Sequence, residues 1–139
     1  MNERYDDPAV AAHILRSFRR VAVVGVSDNP ARPSYRVASY LREVGFDVVP
    51  VNPTLATWRG LRCYASLRDA PTPIEVVDVF RRSELVGPVV DDAIAVGAHA
   101  VWMQEGVVNP VAAATARAAG LLVVMDRCMM RDHHALSLD

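Results

Sequence analysis

Lysine is absent from this sequence, so all 15 basic residues are arginine, and 16 acidic residues bring the net charge to -1. A chain so close to neutral shows no electrostatic sign of a nucleic-acid or membrane partner. Cysteine is scarce, and Cys63 and Cys128 form no CxxC pair, which argues against a metal site or a disulfide framework. The polar, acidic residues 1–7 are unlike a signal peptide, and no apolar run reaches transmembrane length. We therefore expect a cytoplasmic protein.

Apolar residues are abundant and make up 52% of the 139 positions. This composition is too apolar for a disordered chain and sufficient for a real core, so we expect a single domain over residues 1–139. Strands are predicted at 21–26, 47–52, 74–80, 100–103 and 121–126, with a short one at 62–64, and helices at 8–18, 34–44, 83–97 and 109–119. Residues 127–139 are expected to form a short helix or coil.

The alternation of strands and helices is typical of an α/β fold, with a mainly parallel sheet of five to six strands and helices on both faces. Asp7 before Pro8, and Ser83, are the expected N-terminal caps of two helices. Pro50 has no backbone N–H to donate, so it predicts either a bulge in the second strand or a position where the amide side of the strand is unpaired. Right-handed crossovers place a ligand crevice at the carboxyl ends of the strands, where the strand order reverses.

The loop after the first strand has the features of a phosphate-binding segment. Gly25 allows the backbone to turn and an anion to approach the amides. Ser27 and Ser34 offer hydroxyl donors, and Ser34 also begins a helix whose amides favour a phosphate. Arg32 adds a guanidinium cation that can make bidentate hydrogen bonds to a phosphate. The alternative is an ordinary connection, but such loops are usually shorter.

The same region departs from the dinucleotide fingerprint. No glycine follows Gly25 until Gly45, and the second strand ends in Asn52-Pro53 where an NAD site places an acid. Asn52 could bond a ribose or adenine, or could be a turn residue. Both departures argue against NAD.

Polar residues also follow the later strands. Arg81 or Arg82 could face a ligand phosphate, or could begin a solvated helix. Gln104 and Glu105 occupy a crevice position, and Gly106 permits a close approach. Trp102, inside the strand, is expected in the core or an interface.

Six segments then resemble, in order, the small stand-alone CoA-binding proteins, which are similar to the CoA-binding domain of the succinyl-CoA synthetase α subunit. These segments are 21–27, 29–35, 49–53, 77–82, 101–106 and 124–129. The resemblance implies a Rossmann-like three-layer fold that binds coenzyme A. One departure is Asp132 before His133, where the family often has Glu-His.

The resemblance also implies roles for particular residues. It implies that the phosphates are held by Gly25, Ser27, Arg32, Ser34 and Tyr35, and that the adenosine site is lined by Val51, Asn52 and Pro53. It further implies that the CoA is bordered by Phe80, Arg81 and Arg82, and that the pantetheine arm lies near Gln104, Glu105 and Gly106.

No catalytic constellation is identified among the histidines. His13 falls on the opening helix and His99 at the wrong edge of the sheet. His133 and His134 lie beside Asp132, where a dyad or metal site competes with a packed tail. Cys128 could approach the CoA thiol as a mixed disulfide, or could be buried and inert.

The sequence therefore predicts a non-catalytic module or sensor that binds CoA or an acyl-CoA, with no catalytic or metal residues. One alternative is a subunit of an acyl-CoA ligase or transferase-type complex. The other is an NADP-binding redox protein in which Arg32 takes the 2′-phosphate. A homodimer is left open.

Overall fold

The computed structural model describes residues 4–137. The helices are α1 Pro8–Ser17, α2 Pro33–Glu43, α3 Val86–Ala95, α4 Pro110–Ala118 and α5 Met129–Ser137. The strands are β1 Arg20–Val24, β2 Asp47–Val51, β3 Thr57–Trp58, β4 Leu61–Arg62, β5 Val76–Val79, β6 Ala100–Met103 and β7 Leu122–Val124. Single 3₁₀ turns lie at Leu67–Asp69 and Ser83–Leu85.

Five strands form one parallel sheet in the order β2-β1-β5-β6-β7, and β3 and β4 form a separate antiparallel pair. The predicted Rossmann-like α/β fold is confirmed. β2 lies on one side of β1 and β5 on the other, so the strand order reverses between β1 and β5. Loops that leave these two strands diverge to opposite faces, which opens a crevice at their carboxyl ends.

Helices cover both faces of the sheet, which explains why its strands are nearly continuous apolar runs. Val77, Val79 and Val101 pack on the α3 and α4 side. Val23 and Trp102 belong to the opposite core, with the buried residues of α1, α2 and α5. Trp102 is therefore a core residue, and its Nε1 donates to the Arg127 carbonyl at 2.8 Å.

Local cap chemistry predicts one helix start correctly and another incorrectly. Asp7 caps α1 as expected, with its Oδ1 accepting from the Ala9 amide at 2.8 Å. Ser83 instead opens a 3₁₀ turn, and its Oγ accepts from the distant Val108 amide at 2.9 Å. The prediction of Ser83 as a helix cap is wrong because a tertiary partner takes its hydroxyl.

The C-terminal residues 129–137 form a helix, α5, rather than coil, and it packs against α1 and α2. Pro50 lies on β2, the edge strand of the sheet, where a missing amide costs no ladder bond. Within residues 4–137, no helix has the length and apolar character needed to cross a bilayer.

Candidate functional site

A cavity of about 590 Å³ opens where the strand order reverses. We call it the main cavity. Seven of the sequence-predicted site residues line it: Gly25, Ser27, Arg32, Ser34, Phe80, Gln104 and Glu105. The other lining residues are Pro33, Arg36, Val37, Val107, Cys128, Met130 and Arg131. The crevice thus draws on the loops after β1, β5 and β6 and on helices α2 and α5.

Gly25 holds β1 and the loop after β5 in close contact. Its φ is +90°, a backbone conformation that L side chains rarely adopt. A Cβ placed there would lie 2.1 Å from the Phe80 carbonyl oxygen. Only glycine fits this position, so the shape of the crevice depends on it.

The loop after Gly25 is braced by its own polar groups. Ser34 is buried, and its Oγ accepts from the Ser27 amide at 3.0 Å. The Ser27 Oγ in turn accepts from the Asn29 amide at 3.0 Å. Each hydroxyl uses a lone pair inside the loop, so each retains its O–H as a donor.

The N-terminus of α2 faces this loop without a side-chain cap. Arg32 occupies the cap position and makes no capping hydrogen bond, and Pro33 follows as the first helical residue. Amides in the first turn of a helix have no acceptor within the helix, and they carry the positive end of its dipole. This end of α2 is therefore suited to an anion.

Arginines give the main cavity a positive balance. Arg32, Arg36 and Arg131 line it, against the single carboxylate of Glu105. Glu105 Oε2 accepts from Arg131 at 2.6 Å, and both side chains are largely exposed at the mouth. Two guanidinium groups thus remain without a carboxylate among the lining residues, which favours a ligand with phosphates.

Gln104 lies at the floor and is only 4% exposed. Its Oε1 accepts from the Met129 amide at 3.1 Å, which ties β6 to the start of α5. Among the described residues, its Nε2 has no acceptor. Gly106 lies beyond the lining, and its amide donates to Asp126 Oδ1 at 2.8 Å.

Tyr35 points away from the main cavity. Its ring packs edge-on against Trp58, with ring centres 5.7 Å apart, and the Arg59 guanidinium lies 5.6 Å from its centre. Trp58 Nε1 donates to the Ser27 carbonyl at 2.8 Å. Tyr35 therefore positions the loop from behind, along the β3–β4 pair.

Asn52 also acts on the loop. Its Nδ2 donates to the Val26 carbonyl at 2.7 Å, and its Oδ1 accepts from the Thr54 amide at 2.8 Å. Both ends of the amide are engaged within the chain, as in a turn residue. Pro53 is exposed and lies outside the main cavity.

A smaller cavity of about 280 Å³ lies on the α3 side of the same strand ends. We call it the α3 hollow. Val24, Val51, Leu67, Arg81 and Leu85 are among its lining residues. It shares no lining residue with the main cavity, but both draw on the end of β1, where Val24 lines the hollow and the next residue, Gly25, lines the main cavity. Arg82 lines neither one; it is exposed and pairs with Glu84 at 3.5 Å.

The tail histidine is packed and does not pair with the adjacent acid. His133 Nδ1 lies 2.8 Å from Tyr40 Oη. Burial, with Arg19 and His134 nearby, lowers the pKa of His133. Asp132 instead accepts two bonds from Arg127, at 2.7 and 2.9 Å. Over residues 4–137, no group of three or more metal-ligating side chains comes together.

Sequence reasoning missed the α5 wall of the cavity and the second turn of α2. Arg36 was predictable, because it lies four positions after Arg32 and so shares its helix face. Met130 and Arg131 carried no such signal, because their place depends on how α5 docks.

Comparisons with known proteins find similar chains in sequence and in structure. A family model described as CoA binding domain matches residues 19–134. The uncharacterized protein YneT of Bacillus subtilis (strain 168) is 38% identical over 120 residues, 86% of this chain and 89% of the relative. A hypothetical protein from Pyrococcus horikoshii OT3 superposes with a TM-score of 0.92 and 39% identity, over 99% of this chain and 96% of that one. An acetyl-coenzyme A synthetase from Ca. Korarchaeum cryptofilum matches with a TM-score of 0.71 and 25% identity, over 81% of this chain and 28% of that one.

Proposed function

This chain belongs to the CoA binding domain family, and we propose that it binds coenzyme A, free or acylated, across the main cavity and the α3 hollow. The observation that carries the proposal is the arginine-lined cavity at the strand-order reversal, which meets the uncapped start of α2. Coenzyme A brings a pyrophosphate and a 3′-phosphate, and these match a helix N-terminus and guanidinium groups that have no carboxylate partner in the lining.

The two cavities suit the two ends of this ligand. The pyrophosphate lies at the start of α2, near Ser27 and Arg32. The adenosine takes the α3 hollow, beside Val51 and Arg81. The pantetheine arm runs past Phe80 toward Gln104, whose free Nε2 donates to one of its amide carbonyls. The loop after β1 is then held in shape by Asn52, Tyr35 and Trp58.

The role proposed is a binding module or sensor and not a reaction centre. The cavity supplies donors and cations that hold a ligand. The lining contains no histidine, and its one carboxylate, Glu105, is paired with Arg131 at 2.6 Å. These features support retention of the ligand over conversion.

A second candidate is a CoA-binding subunit that works with a partner chain. Its support is the likeness to one portion, 28%, of an acetyl-coenzyme A synthetase chain. Turnover of a CoA thioester by a co-purifying complex would favour this candidate over a stand-alone sensor.

Coenzyme A should raise the melting temperature of the purified protein. Ligand that binds only the folded state adds about 2.7 kcal/mol to the free energy of unfolding at a hundred times its Kd. Thermal unfolding and titration calorimetry with CoA, acetyl-CoA and NADPH measure this effect. Stabilisation by CoA or acetyl-CoA ahead of NADPH supports the proposal. No stabilisation by either at millimolar concentration refutes it, and tighter NADPH binding would instead indicate an NADP protein.

Arg32→Ala should weaken CoA binding by about tenfold or more, because a charge-assisted bond to phosphate is worth about 1.5–3 kcal/mol. Dephospho-CoA separates the two phosphate sites: a greater loss for CoA places Arg32 on the 3′-phosphate, and equal losses place it on the pyrophosphate. Arg82→Ala is the matched control, since Arg82 is exposed and lines neither cavity. Equal affinities for Arg32→Ala and wild type would remove Arg32 from the site.

A further inference from the structure

The two cysteines of this chain are equally buried but have different surroundings. Each is 7% exposed and neither forms a disulfide. Cys63 faces the interior, where its thiol donates to the Asn52 carbonyl at 3.7 Å and burial raises its pKa. Cys128 lies between β7 and α5 and lines the main cavity. Only Cys128 of the pair is open to a molecule held in that cavity.

Gln104 gives an independent sign of a ligand beside Cys128. Its side chain is more than nine-tenths buried, and its Nε2 has no acceptor among the described residues. This nitrogen is not sealed in the core, because Gln104 lines the main cavity. It can therefore donate a hydrogen bond to an acceptor on a molecule held there. Its Oε1 is held by the amide of Met129, the residue that follows Cys128. An acceptor on Gln104 therefore lies close to the Cys128 backbone.

Coenzyme A carries such an acceptor next to its sulfur. The last amide carbonyl of the pantetheine arm is separated from the sulfur by the amide nitrogen and two methylene groups. If that carbonyl accepts from Gln104, as the proposed function has it, the sulfur reaches the cavity wall where Cys128 lies. The following inference rests on that proposed function.

We propose that Cys128 is a covalent exchange site for the disulfide form of coenzyme A. The Cys128 thiol releases its proton to solvent, and the thiolate attacks one sulfur of CoA disulfide. A bond forms between Cys128 and that sulfur as the disulfide bond of the ligand breaks. The second CoA leaves as a thiolate and takes up a proton. The exchange needs no further oxidant, and a free thiol reverses it.

The cavity has the space and the opening for this step. Its volume of about 590 Å³ holds one pantetheine arm while the leaving CoA remains outside. The pair at the mouth, Arg131 and Glu105, is largely exposed, with side-chain exposures of 68% and 56%. Ion pairs as exposed as this one contribute little to stability, so the mouth opens at little cost.

The test is intact-protein mass spectrometry of the reduced protein after anaerobic incubation with CoA disulfide. Wild type and Cys63→Ser should each gain one CoA moiety, and Cys128→Ser should gain none. Glutathione disulfide has no nucleotide through which the cavity could hold it. It should react at least about tenfold more slowly than CoA disulfide, because binding of the nucleotide raises the effective concentration of the CoA sulfur beside Cys128. Acetyl-CoA should slow the exchange by occupying the cavity, and dithiothreitol should remove the adduct.

Two results would overturn the inference: no adduct on wild type, or one that persists in Cys128→Ser. Calorimetry with reduced CoA separates this failure from that of the proposed function. If CoA binds but no adduct forms, only the exchange site is refuted; if CoA does not bind, the proposed function fails first. Cys128→Ala repeats the test should a buried hydroxyl unfold the serine variant.

Discussion

Replacement of Gly25 by alanine should remove coenzyme A binding and lower the free energy of unfolding by roughly 2–4 kcal/mol. Two costs combine at this position. The backbone has φ +90°, which an L residue adopts only under strain, and the new Cβ would lie 2.1 Å from the Phe80 carbonyl oxygen. That oxygen belongs to the backbone, so it cannot rotate away as a flexible side chain would. Relief requires β1 and the loop after β5 to separate.

That separation is expected to reach the ligand site, because Gly25 and Phe80 both line the main cavity. The amides after Gly25 would no longer converge on the phosphate. Calorimetry with CoA measures the loss of binding, and urea unfolding without ligand measures the loss of stability.

Gly45→Ala is the matched control for the cost of backbone strain at a positive φ. Gly45 also has a positive φ, +102°, but an added Cβ would have no neighbour within 4 Å in the part of the chain that the structure describes. We expect it to cost about 1–2 kcal/mol from strain alone and to leave CoA affinity unchanged. If Gly25→Ala bound CoA as well as Gly45→Ala does, the proposed position of the ligand would be wrong.

Asp78 should make the folded protein lose stability as the pH rises. This residue lies on β5, between Val23 of β1 and Trp102 of β6, with no exposed surface. Among residues 4–137, neither carboxylate oxygen has a hydrogen-bond partner. Burial therefore raises the pKa of Asp78 well above its usual value, and the folded protein keeps the proton.

The direction of the pH effect follows from this raised pKa. An unfolded chain releases the Asp78 proton above a pKa of about 3.9. Between that value and the higher pKa of the folded protein, only the unfolded state ionises. Stability from this group is complete below about pH 3.9 and falls by about 1.4 kcal/mol per pH unit until the folded protein also ionises.

Asp78→Asn should abolish this slope, because asparagine has nearly the same shape and does not titrate. Urea unfolding at several pH values from about 4 upward should show the variant gaining stability over wild type. The gain is up to about 1.4 kcal/mol per pH unit wherever only the unfolded wild type is ionised. Asp91→Asn makes the same chemical change at an exposed position of α3 and should leave the slope in place. Parallel profiles for Asp78→Asn and wild type would contradict a raised pKa.

The secondary structure was largely predictable from neighbouring residues. Apolar runs such as that of β1 indicate buried parallel strands, and Asp7 with Pro8 marks a helix start through bonds within three residues. Ser83 shows the limit of this reasoning. Its hydroxyl bonds the Val108 amide, 25 positions away, and no local pattern identifies that partner.

The site residues likewise divide into those that local sequence could place and those that it could not. Gly25, Ser27, Arg32 and Ser34 follow one strand directly, so the sequence could place them together at its carboxyl end. Pro53 and Arg82 also follow strands, yet both are exposed and outside the main cavity, since the local backbone decides where a side chain points.

What the sequence by itself determined is the fold class, the family and the loop that ends β1, because periodicity and turn chemistry act between near neighbours. The tertiary structure decided which distant residues share the cavity. Cys128 and Arg131 line it only because α5 folds back onto α1 and α2, where Gln104 holds the Met129 amide. Such contacts depend on the packing of the whole chain, and packing has no short-range signature.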